Sequence, residues 1–278
     1  MGDKALGTIA AEVSKPVAGL GTCAAFESAE LVDDIQGAES RETATSPLDR
    51  NESPTWYLLR CPARPAAENM ALDEVLLEAS SQLSQPVLRF YHWSEPAASF
   101  GYFQKFSEVE RMTKLRPLVR RPTGGGLVPH DSDWTYSLLF PPASSWYGLK
   151  AAESYCRLHE WVQAAFQRIG LNVRLSQGSA KQLPGQCFAG PEKSDVVWSG
   201  RKIAGAAQRR TRQGLLIQGS IQCELQLTRA VWEEAFCDVA REQWRIKWVP
   251  FELTSELEKS VQRLTSEKYL IENYLKRR

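Results

Sequence analysis

At 278 residues, with 43% hydrophobic and 10% aromatic side chains and a net charge of +1, the composition is that of a globular chain long enough for one large domain or two small ones. No apolar run approaches the roughly 20 residues of a membrane helix, and the amino terminus has neither the layout of a secretory signal nor the acid-poor character of a transit peptide; a soluble, cytoplasmic protein with no membrane partner is expected. Six cysteines without a Cys-x-x-Cys pair and only three histidines offer no spacing for a disulfide framework or zinc centre, so the thiols read as reduced and no metal is expected.

In chain order, residues 1–53 come first and stand apart. They hold ten acidic against four basic side chains and one aromatic, Phe26, whereas all nine tryptophans lie at or beyond Trp56. Such a segment buries too little apolar surface to offset its ordering entropy. An acidic, flexible arm over 1–53 and a folded domain over 54–278 are expected. The domain carries seven more bases than acids, which suits an acidic partner and serves solubility equally well.

Leu72, Val75, Leu76, Ala79 and Leu83 recur at helical spacing and predict a helix over about 66–80, with Asn69 and Asp73 together on another face. Strands are predicted over 87–92, 97–103, 118–121 and 135–140. A helix over 150–169 follows from the stripe Tyr155, Leu158, Val162, Ala165, Phe166 and Ile169, with Gly170 as its terminating glycine. Two further extended runs cover 195–209 and 214–225, and Ser199-Gly200 within the first is a two-residue hairpin signal. The charged stretch 253–274 reads as a surface helix or helix pair. Tight hairpins need antiparallel pairing, so the class is α+β, with mixed, largely antiparallel sheets packed with helices.

Between the predicted strands at 118–121 and 135–140 lies Arg120-Arg121-Pro122-Thr123-Gly124-Gly125-Gly126-Leu127-Val128-Pro129-His130-Asp131. Three glycines bring backbone N–H groups close to a ligand where a Cβ would obstruct, and two arginines supply fixed charge for a phosphate or carboxylate. Alone, the triplet is equally a turn. It is no Walker loop, lacking Gly-Lys-Ser/Thr, and no dinucleotide turn, because a strand rather than a helix follows.

In the predicted hairpin Lys202 falls opposite Val197. Alternation places Lys202, Ala204, Ala206 and Gln208 on one face and Ile203, Gly205 and Ala207 on the other. Small residues past the lysine leave room for a ligand, and its ammonium suits an acyl carbonyl or a phosphate; a solvated lysine among Arg201, Arg209 and Arg210 is the plainer alternative. Cys187 lies in the turn-rich stretch 183–191, where neighbouring bases favour a reactive thiolate. The other five cysteines read as packing residues.

Three segments in order, Ala67-Glu68-Asn69-Met70-Ala71-Leu72-Asp73-Glu74, then 120–131, then Gly200-Arg201-Lys202-Ile203-Ala204-Gly205-Ala206-Ala207-Gln208-Arg209, resemble the lipoate–protein ligase and octanoyltransferase family. Phe100-Gly101-Tyr102-Phe103-Gln104 also looks like its short Gly-x-x-Gln strand. The resemblance runs from about Trp56 onward and implies the biotin/lipoate protein ligase-like catalytic domain. It further implies an acyl or acyl-adenylate site lined by Arg121, Thr123, Gly124, Gly125, Gly126, His130, Asp131, Gly205, Ala206 and Ala207, with Lys202 at the acyl carbonyl.

Two chemistries share that scaffold. An octanoyltransferase takes an octanoyl or lipoyl group from acyl carrier protein, holds it on a cysteine and passes it to a lysine of a lipoyl domain, as in 2-oxoacid dehydrogenases or the glycine cleavage H protein; no cofactor is needed. A lipoate–protein ligase instead makes lipoyl-adenylate with ATP and Mg. Cys187-Phe188 stands where the ligase-like octanoyltransferases carry Cys-Phe, and the residues after Gly205 are too few for an extra ligase domain, so the cysteine enzyme is expected, with Cys187 and Lys202 catalytic. A non-catalytic lipoyl-domain binder is disfavoured by the joint presence of Cys187, Lys202 and the glycines. Nucleic acid is not an expected partner, because the aromatic stacking pattern is missing.

Overall fold

The computed structural model describes residues 53–180, 185–222 and 227–277. Except for Ser53, the expected acidic arm lies outside them, as does the far end of the strand expected over 214–225. The chain opens with β1 (Thr55–Arg64), α1 (Ala66–Leu83), β2 (Val87–Trp93), β3 (Ala97–Phe100), α2 (Phe106–Met112) and β4 (Leu118–Arg120). It continues through β5 (Val128–His130), β6 (Trp134–Phe140), α3 (Ser145–Gly148), α4 (Ala151–Arg168), β7 (Arg174–Leu175) and β8 (Val196–Trp198). Then come β9 (Arg201–Thr211), β10 (Gly214–Ile221), α5 (Arg229–Trp244), β11 (Lys247–Pro250), α6 (Ser255–Leu264), a π-helical turn (Thr265–Tyr269) and α7 (Glu272–Lys276). One sheet runs β11-β1-β2-β6-β10-β9-β8-β7 and a smaller one β4-β3-β5. Among the described strands, the pairs β1–β11, β1–β2 and β3–β4 are parallel and the others antiparallel. The α+β, largely antiparallel class is as expected.

Alternation on the central strands builds two cores. Leu88 and Phe90, Tyr136, Leu138 and Phe140, and Leu215 and Ile217 turn to one side, under Trp161 of α4 and Trp232 and Phe236 of α5. The Trp161 and Phe236 rings stack at 3.8 Å. Val87, Tyr91, Leu139 and Leu216 turn to the other side, against Met70, Leu72 and Leu76 of α1. Each such side chain contributes about 1.5–3 kcal/mol by burial. α5 was not among the predicted helices, although Trp232, Phe236, Val239 and Ala240 carry its buried stripe. Gly170, at φ 82°, ends α4 as expected.

Two expectations need correction. The strand predicted over 97–103 stops at Phe100: the Gln104 N–H donates to Gly101 O at 3.0 Å, and the Gly101 N–H donates to Gln104 Oε1 at 2.9 Å, which makes 101–104 a turn. In the β8–β9 hairpin Val197 does pair with Lys202, but Val196 pairs with Ala204, so Ile203 is an extra residue. That bulge inverts the alternation. Ala204 and Ala206 join the core beneath α4, while Lys202 shares a face with Gly205 and Ala207.

That face is polar where neighbouring strands align. Arg89, Ser137 and Gln218 stand in register across β2, β6 and β10, and α1 lays Asp73 over them. Its Oδ1 accepts from Arg89 Nη1 at 2.6 Å and Ser137 Oγ at 2.8 Å, and its Oδ2 from Gln218 Nε2 at 2.7 Å. Asn69, one turn earlier, accepts from Arg89 Nη2 at 2.6 Å and donates to His92 O at 2.9 Å. The Asn69/Asp73 pair is therefore the clamp of α1 onto the sheet.

Candidate active site

The next row in register, Tyr91, Thr135, Ser220 and Gly205, floors a cleft of about 440 Å³ on the same face. Met70 closes it from α1, Ser99 and Val128 from the small sheet, and Cys187 and Phe188 stand at its edge. Arg121, His130, Lys202, Gly205, Ala206 and Ala207, all expected at the site, line it together with Cys187.

Cys187 is held against the glycine loop. Its N–H donates to Leu127 O at 3.0 Å, and the Gly126 N–H donates to its Sγ at 3.0 Å. Gly125 has φ 86°, which favours glycine, and a Cβ placed there would lie 2.8 Å from Arg121 Nη2 and 3.5 Å from Sγ. Arg121 is the clasp of this loop: Nη2 donates to the carbonyls of Gly124 at 2.6 Å and Gly126 at 2.7 Å, and Nη1 to Ser99 O at 3.2 Å. Burial lowers the pKa of its guanidinium, and the neighbouring Cys187 opposes that shift. Thr123, fully buried, donates to Gln218 Oε1 at 2.7 Å and so ties the loop to the Asp73 network.

Lys202 lies along the bare Cα of Gly205, where an added Cβ would meet Lys202 Cε at 2.6 Å. Its Nζ pairs with Asp195 Oδ2 at 2.7 Å and sits 5.1 Å from the centre of the Phe188 ring. Asp195 is fully buried. It also accepts from the Glu192 N–H at 2.6 Å and from the Tyr155 hydroxyl. Burial, and then the Asp195 carboxylate, hold the Tyr155 phenol well above its usual pKa, so it stays a donor.

His130 is fully engaged. Its Nδ1 meets Asp133 Oδ2 at 2.8 Å, its Nε2 meets Ser99 Oγ at 2.7 Å, and its ring stacks on Trp93 at 3.9 Å. An ionised carboxylate only accepts, so Nδ1 is the donor towards Asp133, and a neutral ring accepts the Ser99 hydroxyl's hydrogen bond at Nε2. Asp131 is exposed and, like Thr123 and Gly124, Gly125 and Gly126, is not among the residues lining the cleft; the buried carboxylate bonded to His130 is Asp133, two residues on. Asp133 also accepts from Ser220 Oγ at 2.7 Å and Thr135 Oγ1 at 3.1 Å. Sequence reasoning missed Asp195, Tyr155, Asp133 and Ser99. The signal for Asp195 was a lone carboxylate opening an apolar strand run; the other three had none.

Among the described residues no group of three His, Cys, Asp or Glu side chains could hold a metal, and no helix is long and apolar enough to cross a membrane.

Comparison with known proteins identifies the family. The model of the lipoyl protein ligase A/B catalytic domain matches residues 65–250. The octanoyltransferase LipM of Carboxydothermus hydrogenoformans is 34% identical over 183 residues, 63% of this chain and 67% of the relative. That of Macrococcus caseolyticus is 30% identical over 80% of this chain and 99% of its own length. Among solved structures, a bipartite lipoate protein ligase from Thermoplasma acidophilum, described with its E2 lipoyl domain, superposes with a TM-score of 0.62 at 19% identity, over 80% of this chain and 96% of the other. The chain belongs to the lipoyl protein ligase A/B catalytic-domain family and is an enzyme of that family.

Proposed function

We propose that the protein transfers an octanoyl or lipoyl group from acyl carrier protein to a lysine of a lipoyl domain, carrying it as a thioester on Cys187. The supporting observation is that the Cys187 sulfur, the Lys202 ammonium and the Arg121 guanidinium face one cleft whose remaining wall includes the apolar groups of Met70, Tyr91, Trp93 and Val128. An alkyl chain gains about 0.8 kcal/mol per methylene along such a wall.

In the first step the Cys187 thiolate attacks the carbonyl carbon of the carrier thioester. The carrier's sulfur leaves and takes up a proton. In the second, the lipoyl-domain amine attacks the same carbon and loses a proton, and the Cys187 sulfur leaves. Lys202, oriented by Asp195, stabilises negative charge on the carbonyl oxygen in both steps, and the covalent intermediate divides one difficult transfer into two. A thioester becomes an amide, so the transfer runs downhill without ATP. The relatives named octanoyltransferase support the octanoyl group, and the lipoyl domain described with the Thermoplasma ligase supports the acceptor.

The test offers octanoyl carrier protein and a lipoyl domain without nucleotide. An octanoyl mass gain on the acceptor lysine, abolished in Cys187→Ala, is expected. Modification that needs free lipoate and ATP, with pyrophosphate exchange surviving Cys187→Ala, would instead make the protein a ligase.

A further inference from the structure

The turn that replaced the end of an expected strand carries a side chain aimed at the nucleophile loop. We infer that Gln104 is a positioning residue that fixes the Cys187 loop on the glycine loop. The inference rests on the acyl-carrying role proposed for Cys187.

The Gln104 amide works in both directions. Its Oε1 accepts from the Gly101 N–H at 2.9 Å, and its Nε2 donates to Gly185 O at 2.9 Å. That carbonyl also accepts from the Leu127 N–H at 2.7 Å, and the Cys187 N–H returns a bond to Leu127 O at 3.0 Å. The stretch 185–187 is thus zipped along Leu127, and Gln104 closes the free side of the zip.

The fit is backbone on backbone. A Cβ on Gly101 would lie 1.9 Å from Gly125 O, and one on Gly126 would lie 2.5 Å from Gly185 O. The turn itself has a fixed base. Buried Arg120 sends Nη1 to the carbonyls of Tyr102 at 2.8 Å and Gln104 at 2.7 Å, and its Nε and Nη2 to the carbonyls of Tyr274 at 3.2 Å and Leu275 at 2.8 Å. Gln104 therefore reaches Gly185 from an anchored backbone. An amide meets both demands at once. A carboxylate satisfies Gly101 but faces the Gly185 carbonyl with a second acceptor, unless it is protonated.

Gln104→Ala and Gln104→Glu test this in the full chain. Single-turnover loading of Cys187 from octanoyl carrier protein is followed by intact mass, with alkylation of the same thiol by iodoacetamide measured in parallel. Gln104→Ala is expected to load about tenfold or more slowly, because misplacement of about an ångström carries penalties of that size, while alkylation does not fall in proportion. Gln104→Glu, relative to the native protein at each pH, is expected to load slowly near about pH 8 and to approach the native rate as pH falls towards roughly 4–5, where the carboxyl regains a proton to donate. Native-rate loading in Gln104→Ala, a Glu-to-native ratio indifferent to pH, or a parallel fall of loading and alkylation would each overturn the inference. Absence of loading on the native protein would overturn the acyl role of Cys187 instead.

Discussion

Asp73 and Arg89 meet at 2.6 Å with both side chains fully buried, and Asp195 and Lys202 meet at 2.7 Å with the carboxylate buried and the ammonium side chain 5% exposed. Both pairs lie on the same face of the large sheet. Around the first, Asn69, Ser137 and Gln218 close the remaining bonding positions. The second ends at the wall of a cleft, beside Cys187 and Phe188. A buried ion pair is weak evidence of stability in itself, because desolvation offsets much of its attraction. What surrounds each pair decides what it does. The closed network locks α1 to the sheet, and the open one leaves a cation within reach of a ligand. Thr123, which donates to Gln218 and accepts from Arg121 Nε, ties the closed network to the glycine loop.

The contrast is broken most severely at the sulfur. Cys187→Ala is expected to reduce acyl transfer by on the order of a thousandfold or more in a steady-state assay, with thermal unfolding unchanged. The two aspartates should then separate by type of damage. Asp73→Ala leaves Arg89 buried and unpaired, and should cost about 3–5 kcal/mol in denaturant unfolding while the folded fraction keeps most of its activity. Asp195→Ala should do the reverse, lowering the transfer rate by about a hundredfold through misplacement of Lys202 with a smaller loss of stability. Equal stability losses in both variants would erase the distinction between scaffold and machinery.

His159, packed 4.2 Å from the Tyr155 ring, sharpens the comparison through pH. Burial pushes its pKa down to about 4. Between roughly 6.5 and that value the unfolded chain binds a proton that the folded chain does not. Stability should therefore fall as pH drops through this window, by about 3 kcal/mol at most, and His159→Leu should flatten that slope in urea unfolding at successive pH values. The smallest effect is expected from Thr123→Val, which cuts the link between the Asp73 network and the glycine loop. It should cost about 1 kcal/mol of stability, read from the urea midpoint.

Local signals carried the sequence reading far. Ser199-Gly200, both at positive φ, fixed the hairpin and the Val197–Lys202 pairing, and helical stripes located α1 and α4. The glycine loop, Lys202 and Cys187 were singled out by residue type and order; Cys187 and Lys202 line one cleft, and the glycine loop touches it through the Gly126 N–H on the Cys187 sulfur. What stayed hidden was non-local. The bulge at Ile203 depends on how β8 meets β9, so strict alternation put Lys202 on the wrong face. Asp131 and Asp133 are indistinguishable until β6 turns one of them inward. Asn69 and Asp73 gave no hint of structural duty before Arg89, sixteen and more residues away, arrived beneath them. α5 was an avoidable omission, since Trp232, Phe236, Val239 and Ala240 recur at helical spacing.

The central claim is that Cys187 carries the acyl group, and intact mass after mixing the full chain with octanoyl carrier protein tests it directly. The account predicts one octanoyl addition that maps to Cys187, is removed by neutral hydroxylamine and is absent from Cys187→Ser after the same treatment. An unmodified native protein that still transfers octanoate, or an adduct lodged on another residue, would contradict it.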